Sequence, residues 1–219
     1  RASSCSTATT VTAEDWLSQL DYVISGIRSI SEDARLASHR EWWSRFWTRS
    51  WIFVSSPDAL RNQQAATLTR GYILQRYINA CSGRGASPIK FNGSIFTVDT
   101  YQRKESGGHD ADFRRWGGPY WFQNTRLPYW AMLGSGDVEM LKPLFSMYFD
   151  ALPIRKFATR KYYGHGGAHF PETMNFCGTW TNVNYGFNRT GKPDGLTDNT
   201  YIRYYWTSGL ELSLMMLDY

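Results

Sequence analysis

The residues best suited to chemistry lie in two aromatic, glycine-rich stretches, 116–130 and 162–180. The first, "WGGPYWFQNTRLPYW", sets three Trp, two Tyr and one Phe around a Gln, an Asn and an Arg. The second, "YYGHGGAHFPETMNFCGTW", adds two His and one Glu. Flat rings suit the apolar C–H faces of a sugar, and amide, carboxylate, Arg or His groups suit its hydroxyl edges. The composition favours a carbohydrate pocket, although nucleobase sites use similar residues.

Polar and aromatic residues in and near these stretches are the candidates for the pocket. They are Asn92, Asp99, Trp116, Trp121, Asn124, Arg126, His165, His169, Glu172 and Trp180. A simpler role stays open for several of them. Trp121 could be a core residue, Asp99 a turn cap, His165 a loop hydrogen-bonding group and Glu172 a solvated carboxylate.

Other chemistries lack their motifs. The chain has no Gly-rich phosphate loop, no H-E-x-x-H, no C-x-x-C and no G-x-S-x-G. His165 and His169 have i, i+4 spacing, but the glycine pair between them disfavours a helix, so we expect no metal and no cofactor. The net charge of +5 comes from scattered basic residues, which argues against nucleic acid as a partner. No apolar run approaches a bilayer span, so no membrane partner is expected either.

Helical patterns must position these residues. Thr12 three residues before Asp15 predicts the capped start of one helix, and Ser56 with Pro57 predicts the start of another that closes on Gly83. The helical period also appears in stretches 34–54, 124–133, 136–152 and 201–219. Between them lie two long loops that are too aromatic for disorder. Helical hairpins that send such loops to one face build a rim around a pocket.

Two finer expectations follow from the helical patterns. Trp43, Trp47 and Trp51, broadened by Trp42, Phe46 and Phe53, predict a helix buried on most of its circumference. The charged run "RKFATRK", which starts at Arg155, predicts a solvated helix end.

Length and cysteine content bound the domain organisation. With 219 residues, 42% of them hydrophobic, the chain predicts one domain spanning 1–219. Cys5, Cys81 and Cys177 allow at most one internal disulfide.

Three blocks, taken in order, resemble glycoside hydrolase family 95, which contains α-L-fucosidases and related enzymes. They are "LTRGYILQRYINACSGRGASPIKFNGSIF", "WGGPYWFQNTRLPYW" and "YYGHGGAHFPETMNFCGTW". The resemblance spans residues 35–219 and implies an all-α fold, part of an (α/α)6 toroid of helical hairpins. It also implies an inverting hydrolase that acts on an oligosaccharide or glycoside and is secreted or periplasmic.

The resemblance assigns roles to individual positions. Asn124 falls on the second Asn of the family's N-x-N pair, which positions the attacking water, and Phe122 replaces the first. Glu172 and His169 fall in the family's His-rich active-site loop, where Glu172 would be an auxiliary or sugar-binding carboxylate. The family's general-acid block matches nothing up to Tyr219, and six hairpins need more helices than 219 residues supply. We therefore expect a part of a longer enzyme whose sugar is not assumed to be fucose.

Two other functions remain open. One is a carbohydrate-binding or scaffold protein with the same toroid but no catalysis, which the replaced Asn favours. The other is a helical interaction protein whose aromatic loops bind a protein partner.

Overall fold

The computed structural model describes residues 10–90, 119–179, 190–191 and 205–219. The chain falls into two compact units, Arg1–Arg49 and Ser50–Tyr219. That the whole chain forms one domain stays a prediction. Within the described residues, no helix combines the length and apolar character needed to cross a bilayer.

The first unit contains two helices, α1 (Ala13–Arg28) and α2 (Glu32–Arg49). The predicted cap of α1 is confirmed: Thr12 is the N-cap residue, and its hydroxyl accepts a hydrogen bond of 3.1 Å from the Asp15 N–H. A hydrogen bond of 3.1 Å from Arg35 Nη1 to the Ile27 carbonyl joins α2 to the end of α1.

The prediction of a largely buried second helix was wrong. Phe46 is the buried residue of α2, and the helix ends before Trp51 and Phe53, which are 67% and 78% exposed. The rings of α2 instead lie against each other along its surface. Trp42 stacks on Phe46 with ring centroids 5.2 Å apart, because residues four apart are neighbours on a helix.

The second unit begins with residues 50–56, which run beside α3 (Ala59–Ser82). The Thr69 hydroxyl accepts from the Val54 N–H at 3.0 Å. Helix α3 begins two residues later than predicted, because the Asp58 side chain caps it by accepting from the Arg61 N–H at 2.8 Å. The predicted C-cap at Gly83 is confirmed. A side chain there would lie only 2.8 Å from the Asn79 carbonyl oxygen, so the close approach requires glycine.

A buried ion pair connects α3 to the chain that follows α4 (Phe122–Gly134). Arg76 donates two hydrogen bonds of 2.8 Å to the Asp137 carboxylate and a further one to the Ser50 carbonyl. Both charged side chains are at least 96% buried, and Ser135 donates to Asp137 at 2.6 Å. A single 3-10 turn, Val138–Met140, leads from there to α5 (Lys142–Asp150).

Helix α6 (Leu152–Tyr163) packs on α5 and ends at Gly164, whose φ of +74° is the left-handed conformation that favours glycine. Two short strands, β1 (Tyr120–Trp121) and β2 (Thr173–Met174), form an antiparallel pair with Trp121 opposite Thr173. The last helix, α7 (Thr207–Asp218), packs against α4. The described chain is therefore mostly helical, which confirms the all-α prediction.

Candidate functional site

The strand pair brings the 165–174 loop to the start of α4. The Phe122 N–H donates a hydrogen bond of 2.8 Å to the Glu172 carbonyl oxygen. The N-cap residue of α4, Trp121, makes no side-chain capping bond. The first turn of α4 therefore receives a backbone acceptor from the loop, which places Glu172 beside the free N–H groups of a helix start.

The Glu172 carboxyl group is buried in an aromatic environment. The residue is 3% exposed, and among the described residues neither of its carboxylate oxygens has a hydrogen-bond partner. Burial raises its pKa to about 7, while the nearby N–H of Gln123 opposes the rise without reaching hydrogen-bond geometry. This carboxyl group is consequently part protonated at neutral pH.

Tyr148 on α5 lies close enough to respond to Glu172. It is 3% exposed, and its ring contacts Phe122 and Phe170 with centroids 6.1 and 5.3 Å away. Burial raises the pKa of the Tyr148 hydroxyl, and the charge of Glu172 raises it further. The hydroxyl therefore stays protonated at neutral pH.

His169 lies in the same loop, three residues before Glu172, and is also buried. Its ring lies 5.1 Å from Tyr163 and 4.9 Å from Trp206 between centroids. Burial, followed by the Arg155 charge, lowers its pKa to about 4, while the Tyr205 carbonyl opposes this change. The imidazole is therefore neutral at physiological pH and can share a hydrogen bond but not supply charge.

Arg155 on α6 holds this loop in place. It is 4% exposed and donates to the His169 carbonyl at 2.8 Å and the Gly178 carbonyl at 3.1 Å. The Thr159 hydroxyl accepts from the His169 N–H at 2.7 Å. The prediction of a solvated helix end was wrong for Arg155, whose guanidinium satisfies loop carbonyls inside the protein. It is confirmed for the rest of the charged run, because Lys156, Arg160 and Lys161 are exposed and the last two lie in the final turn of α6. We call the region around Arg155 the buried junction and define it as Tyr148, Arg155, His169, Glu172 and Thr173.

Asn124 lies in a different environment, on the wall of a cavity between α3 and α4. The cavity has a volume of about 370 Å³. Its polar lining is Gln75, Asn79, Lys90 and Asn124, and its apolar lining is Ile89, Leu127, Pro128 and Ala131. We call it the amide cavity. Its size is in the range of small-ligand sites, and it combines an apolar surface with a few polar groups.

Two buried tyrosines fix one rim of the amide cavity. Tyr129 on α4 accepts a hydrogen bond of 2.7 Å from the Ile89 N–H. Tyr120 donates one of 3.2 Å to the Pro88 carbonyl, and the Lys90 ammonium lies 3.7 Å from the centroid of its ring. Burial raises the hydroxyl pKa of both tyrosines. Residues 88–90 are thus anchored to α4 and β1.

The remaining predicted residues separate into four groups. Arg126 pairs with Glu211 on α7 at 2.5 Å, and Trp130 donates to the same carboxylate at 2.7 Å. Trp121 is 7% exposed, so its ring is part of the core, whereas His165 is exposed in the loop after α6. Four predicted sugar-contacting residues, Asn92, Asp99, Trp116 and Trp180, lie outside the described residues.

The structure thus brings His169 and Glu172 to one buried region and places Asn124 on an open cavity. It adds residues that the sequence analysis did not select, namely Gln75, Asn79 and Lys90 at the cavity and Tyr148 and Arg155 at the junction. The amides of α3 could have been found from their four-residue spacing, which places both on one helix face. Lys90 had no such signal, because its position depends on two tyrosines distant in sequence.

No group of three or more His, Cys, Asp or Glu side chains in the described part of the chain is arranged to hold a metal ion. Cys81 and Cys177 are exposed free thiols. No protein-family model matches the chain, and comparisons with curated proteins and with solved structures find no significant match.

Proposed function

We propose that the chain is part of an inverting glycoside hydrolase that binds the sugar of an oligosaccharide or glycoside in the amide cavity. The observation that carries this proposal is the lining of the cavity. Three amides and an ammonium group face a surface of Ile89, Leu127 and Pro128, which suits a ligand with hydroxyl edges and an apolar face. The resemblance to glycoside hydrolase family 95 supports it independently and extends it to a secreted or periplasmic enzyme.

The finer fold in this proposal is an (α/α)6 toroid. It is supported by consecutive helices that pack on each other, such as α5 and α6, and by the packing of α4 against α7. The loop between α6 and α7 also carries polar residues back to the start of α4, as the loops of helical hairpins do in such a ring.

Asn124 would orient the attacking water. It is exposed in the first turn of α4 and lines the cavity, so its amide can hold a water molecule beside a bound sugar. In an inverting reaction this water attacks the anomeric carbon from the face opposite the leaving oxygen, which a carboxylic acid protonates.

Glu172 would support the reaction as a positioning residue. Its carbonyl accepts from the Phe122 N–H, two residues before Asn124, and its carboxyl group lies beside the Gln123 N–H. Through the bond to Phe122 it would hold the first turn of α4, which carries Asn124. The catalytic role predicted from the sequence stays a prediction.

Binding of neutral sugars to variants of neighbouring residues tests the proposal. In Asn124→Ala, isothermal titration calorimetry should show about fivefold weaker binding of the preferred sugar, since a hydrogen bond is worth about 1 kcal/mol. Gln123→Ala is the matched control, because Gln123 is also exposed on α4 but does not line the cavity. If no neutral monosaccharide or oligosaccharide binds, or if both variants bind like the unmodified chain, the proposal fails.

A second candidate is a carbohydrate-binding or scaffold protein without catalysis. The observation that favours it is Phe122, which stands where the resemblance implies the first water-positioning Asn and is a buried core residue, 1% exposed. Hydrolysis of aryl glycosides, with the product anomer followed by NMR, separates the two functions. Release of an inverted anomer supports the enzyme, and sugar binding without turnover supports the scaffold.

A further inference from the structure

Helix α6 has an exposed side that lies outside both the amide cavity and the lining of the buried junction. Its sequence, LPIRKFATRKYY, contains four basic residues and no acidic one. Arg155 is buried, and the exposed members are Pro153, Ile154, Lys156, Phe157, Arg160 and Lys161. At about 100° per residue, these six positions fall on one side of the helix. We call them the α6 face. Its side chains are all cationic or apolar.

Phe157 lies near the middle of the α6 face, between cations. Its ring is 67% exposed, although the burial of a phenylalanine side chain is strongly favourable. Around the helix, Lys156 and Arg160 fall on one side of Phe157. Lys161 falls on the other side, with its ammonium 5.3 Å from the centroid of the Tyr162 ring. The α6 face thus has an apolar centre with a basic rim.

A neighbouring turn adds a second exposed ring at the start of α6. A side chain at Gly178 would lie only 2.8 Å from Ile154 Cγ2, so the backbone of this turn packs directly on the helix. Phe176, two residues earlier in the turn, is 69% exposed. The exposed apolar surface therefore continues from α6 onto the turn that follows β2.

The positive charges of the α6 face are not compensated within the described chain. Neither Lys156 nor Arg160 has an ion-pair partner there. Because they are four residues apart on the helix, their like charges repel each other. The helix dipole favours cations in the last turn, which accounts for Arg160 and Lys161 but not for Lys156. Asp150 precedes α6 and so lies near the opposite end of the helix from Arg160. An anionic partner would relieve the repulsion.

We propose that the α6 face binds the surface of an anionic lipid bilayer. The Phe157 ring would enter the boundary between headgroups and acyl chains, and the cations around it would bind lipid phosphates. A helix that lies on a bilayer needs no spanning length, so the lack of a spanning apolar run in the sequence does not oppose this role.

The residue types of the α6 face favour a bilayer over other anionic partners. Two of its three cations are Lys, which is depleted at protein interfaces. Its side chains include no amide or hydroxyl, groups that nucleic-acid surfaces use beside Arg and Lys. Apolar and cationic groups together match the two layers that a bilayer surface presents.

Co-sedimentation with vesicles tests the proposal. Binding is compared between phosphatidylcholine vesicles and vesicles in which about one third of the lipid is phosphatidylglycerol. We expect at least about tenfold tighter binding to the anionic vesicles, and this binding should weaken as NaCl is added. Equal binding to the two kinds of vesicle, or no binding to either, overturns the proposal.

A double variant assigns the binding to the α6 face. Lys156→Gln combined with Arg160→Gln should weaken binding to the anionic vesicles about fivefold per removed cation, which corresponds to about 1 kcal/mol each. Arg61→Gln combined with Arg70→Gln is the matched control, because it removes two exposed charges from α3 and gives the same net charge. If both double variants lose the same affinity, the attraction is diffuse and the α6 face is not the site.

A single variant tests the apolar centre. Phe157→Ala should weaken binding about fivefold or more, since the ring no longer enters the bilayer. Phe53→Ala removes a ring that is 78% exposed outside α6 and should bind like the unmodified chain. Unchanged binding of Phe157→Ala overturns the proposal. Should a variant fail to fold by circular dichroism, the lipid and salt comparisons on the unmodified chain decide.

The outcomes separate this inference from the proposed function. Binding of duplex DNA or polyglutamate without binding of vesicles would assign the α6 face to another class of partner and overturn the proposal. Lys156 and Arg160 do not line the amide cavity, so their double variant should bind sugars like the unmodified chain. The bilayer proposal can therefore fail while the sugar site stands, and the reverse.

Discussion

The amide cavity and the buried junction meet at the start of α4, yet they use polar residues in opposite ways. At the cavity, Asn124 is exposed and shares an open wall with Gln75 and Lys90. At the junction, Glu172 and His169 are 3% and 5% exposed, with no hydrogen-bond partners for their side chains among the described residues. A polar group on the open side is accessible to water and to a ligand, whereas burial on the closed side changes the pKa of a group and the stability of the fold.

The difference arises from how each region is closed. The junction is covered by the rings of Tyr148, Tyr163 and Trp206 and held by Arg155, so water has little access to its titratable groups. In the part of the chain that the structure describes, the aromatic residues at the cavity lie behind its rim, where Tyr120 and Tyr129 hold the 88–90 segment. Rings that appear alike in the sequence therefore perform different tasks in the two regions.

The largest effect should come from the ion pair that supports the cavity wall. Arg76 lies beside Gln75 on α3 and is paired with the buried Asp137. Arg76→Met leaves the Asp137 charge buried without its partner, and we expect the free energy of unfolding to fall by about 3–5 kcal/mol. Urea denaturation measures this. Arg70→Met, at an exposed position of α3, should change it by less than about 0.5 kcal/mol. A small loss in Arg76→Met would show that the wall does not depend on this pair.

A pH-dependent effect should mark the buried junction. Because the folded-state pKa of Glu172 is raised to about 7, its protonated form favours folding below pH 4.5, and this contribution is lost as pH rises through 7. Glu172→Gln imitates the protonated form. We expect it to be about 1–3 kcal/mol more stable than the unmodified chain at pH 8 and nearly equal to it at pH 4.

His169 affects the pH dependence of the unfolding free energy in the opposite direction, so its effect must be separated from that of Glu172. With its pKa lowered to about 4, its contribution is present above pH 6.5 and is lost as pH falls toward 4. Both the unmodified chain and Glu172→Gln contain His169. Its contribution therefore cancels when the unfolding free energy of one protein is subtracted from that of the other. Denaturation at several pH values gives that difference. Equal stability of the two proteins at pH 8 would contradict the burial of an unpaired carboxylate.

The smallest change in unfolding free energy should come from the ion pair between α4 and α7. Its side chains are less exposed than Asn124 at the cavity and more exposed than Glu172 at the junction. The Arg126 and Glu211 side chains are 31% and 25% exposed. Glu211→Gln weakens this pair and its bond to Trp130, and we expect a loss of about 1 kcal/mol in unfolding free energy. Glu41→Gln, in the more exposed pair with Arg45, should cost less. If both variants lose the same unfolding free energy, the exposure of an ion pair does not determine how much it contributes to stability.

Local features of the fold could be predicted from the sequence. The Thr12 cap, the glycine end of α3 and the helical pattern of α4 are confirmed, because each depends on residues within one or two helical turns. The start of α3 was displaced by two residues, since Asp58 and Ser56 both have side chains able to cap. The prediction that α2 is largely buried was wrong, because an aromatic stripe does not specify whether its rings pack against a core or against each other.

The candidate site was only partly predictable. Asn124 was selected by its place in an aromatic stretch and by resemblance, but the cavity around it needs Asn79, 45 positions earlier in the numbering, and Lys90. Arg155 was assigned to solvent because its neighbours are charged. Its actual partners are carbonyls at 169 and 178, and no sequence pattern indicates that pairing.

The sequence by itself determined the helical character of the described chain and the residue types available at the start of α4, because helical periodicity, caps and composition are local properties. Only the tertiary structure decided which of those residues face solvent and which are enclosed. That decision depends on contacts between distant segments: the β1–β2 pair, the anchored 88–90 segment and the loop held by Arg155. Burial controls the pKa of Glu172 and the openness of the amide cavity, and burial is a property of the folded chain as a whole.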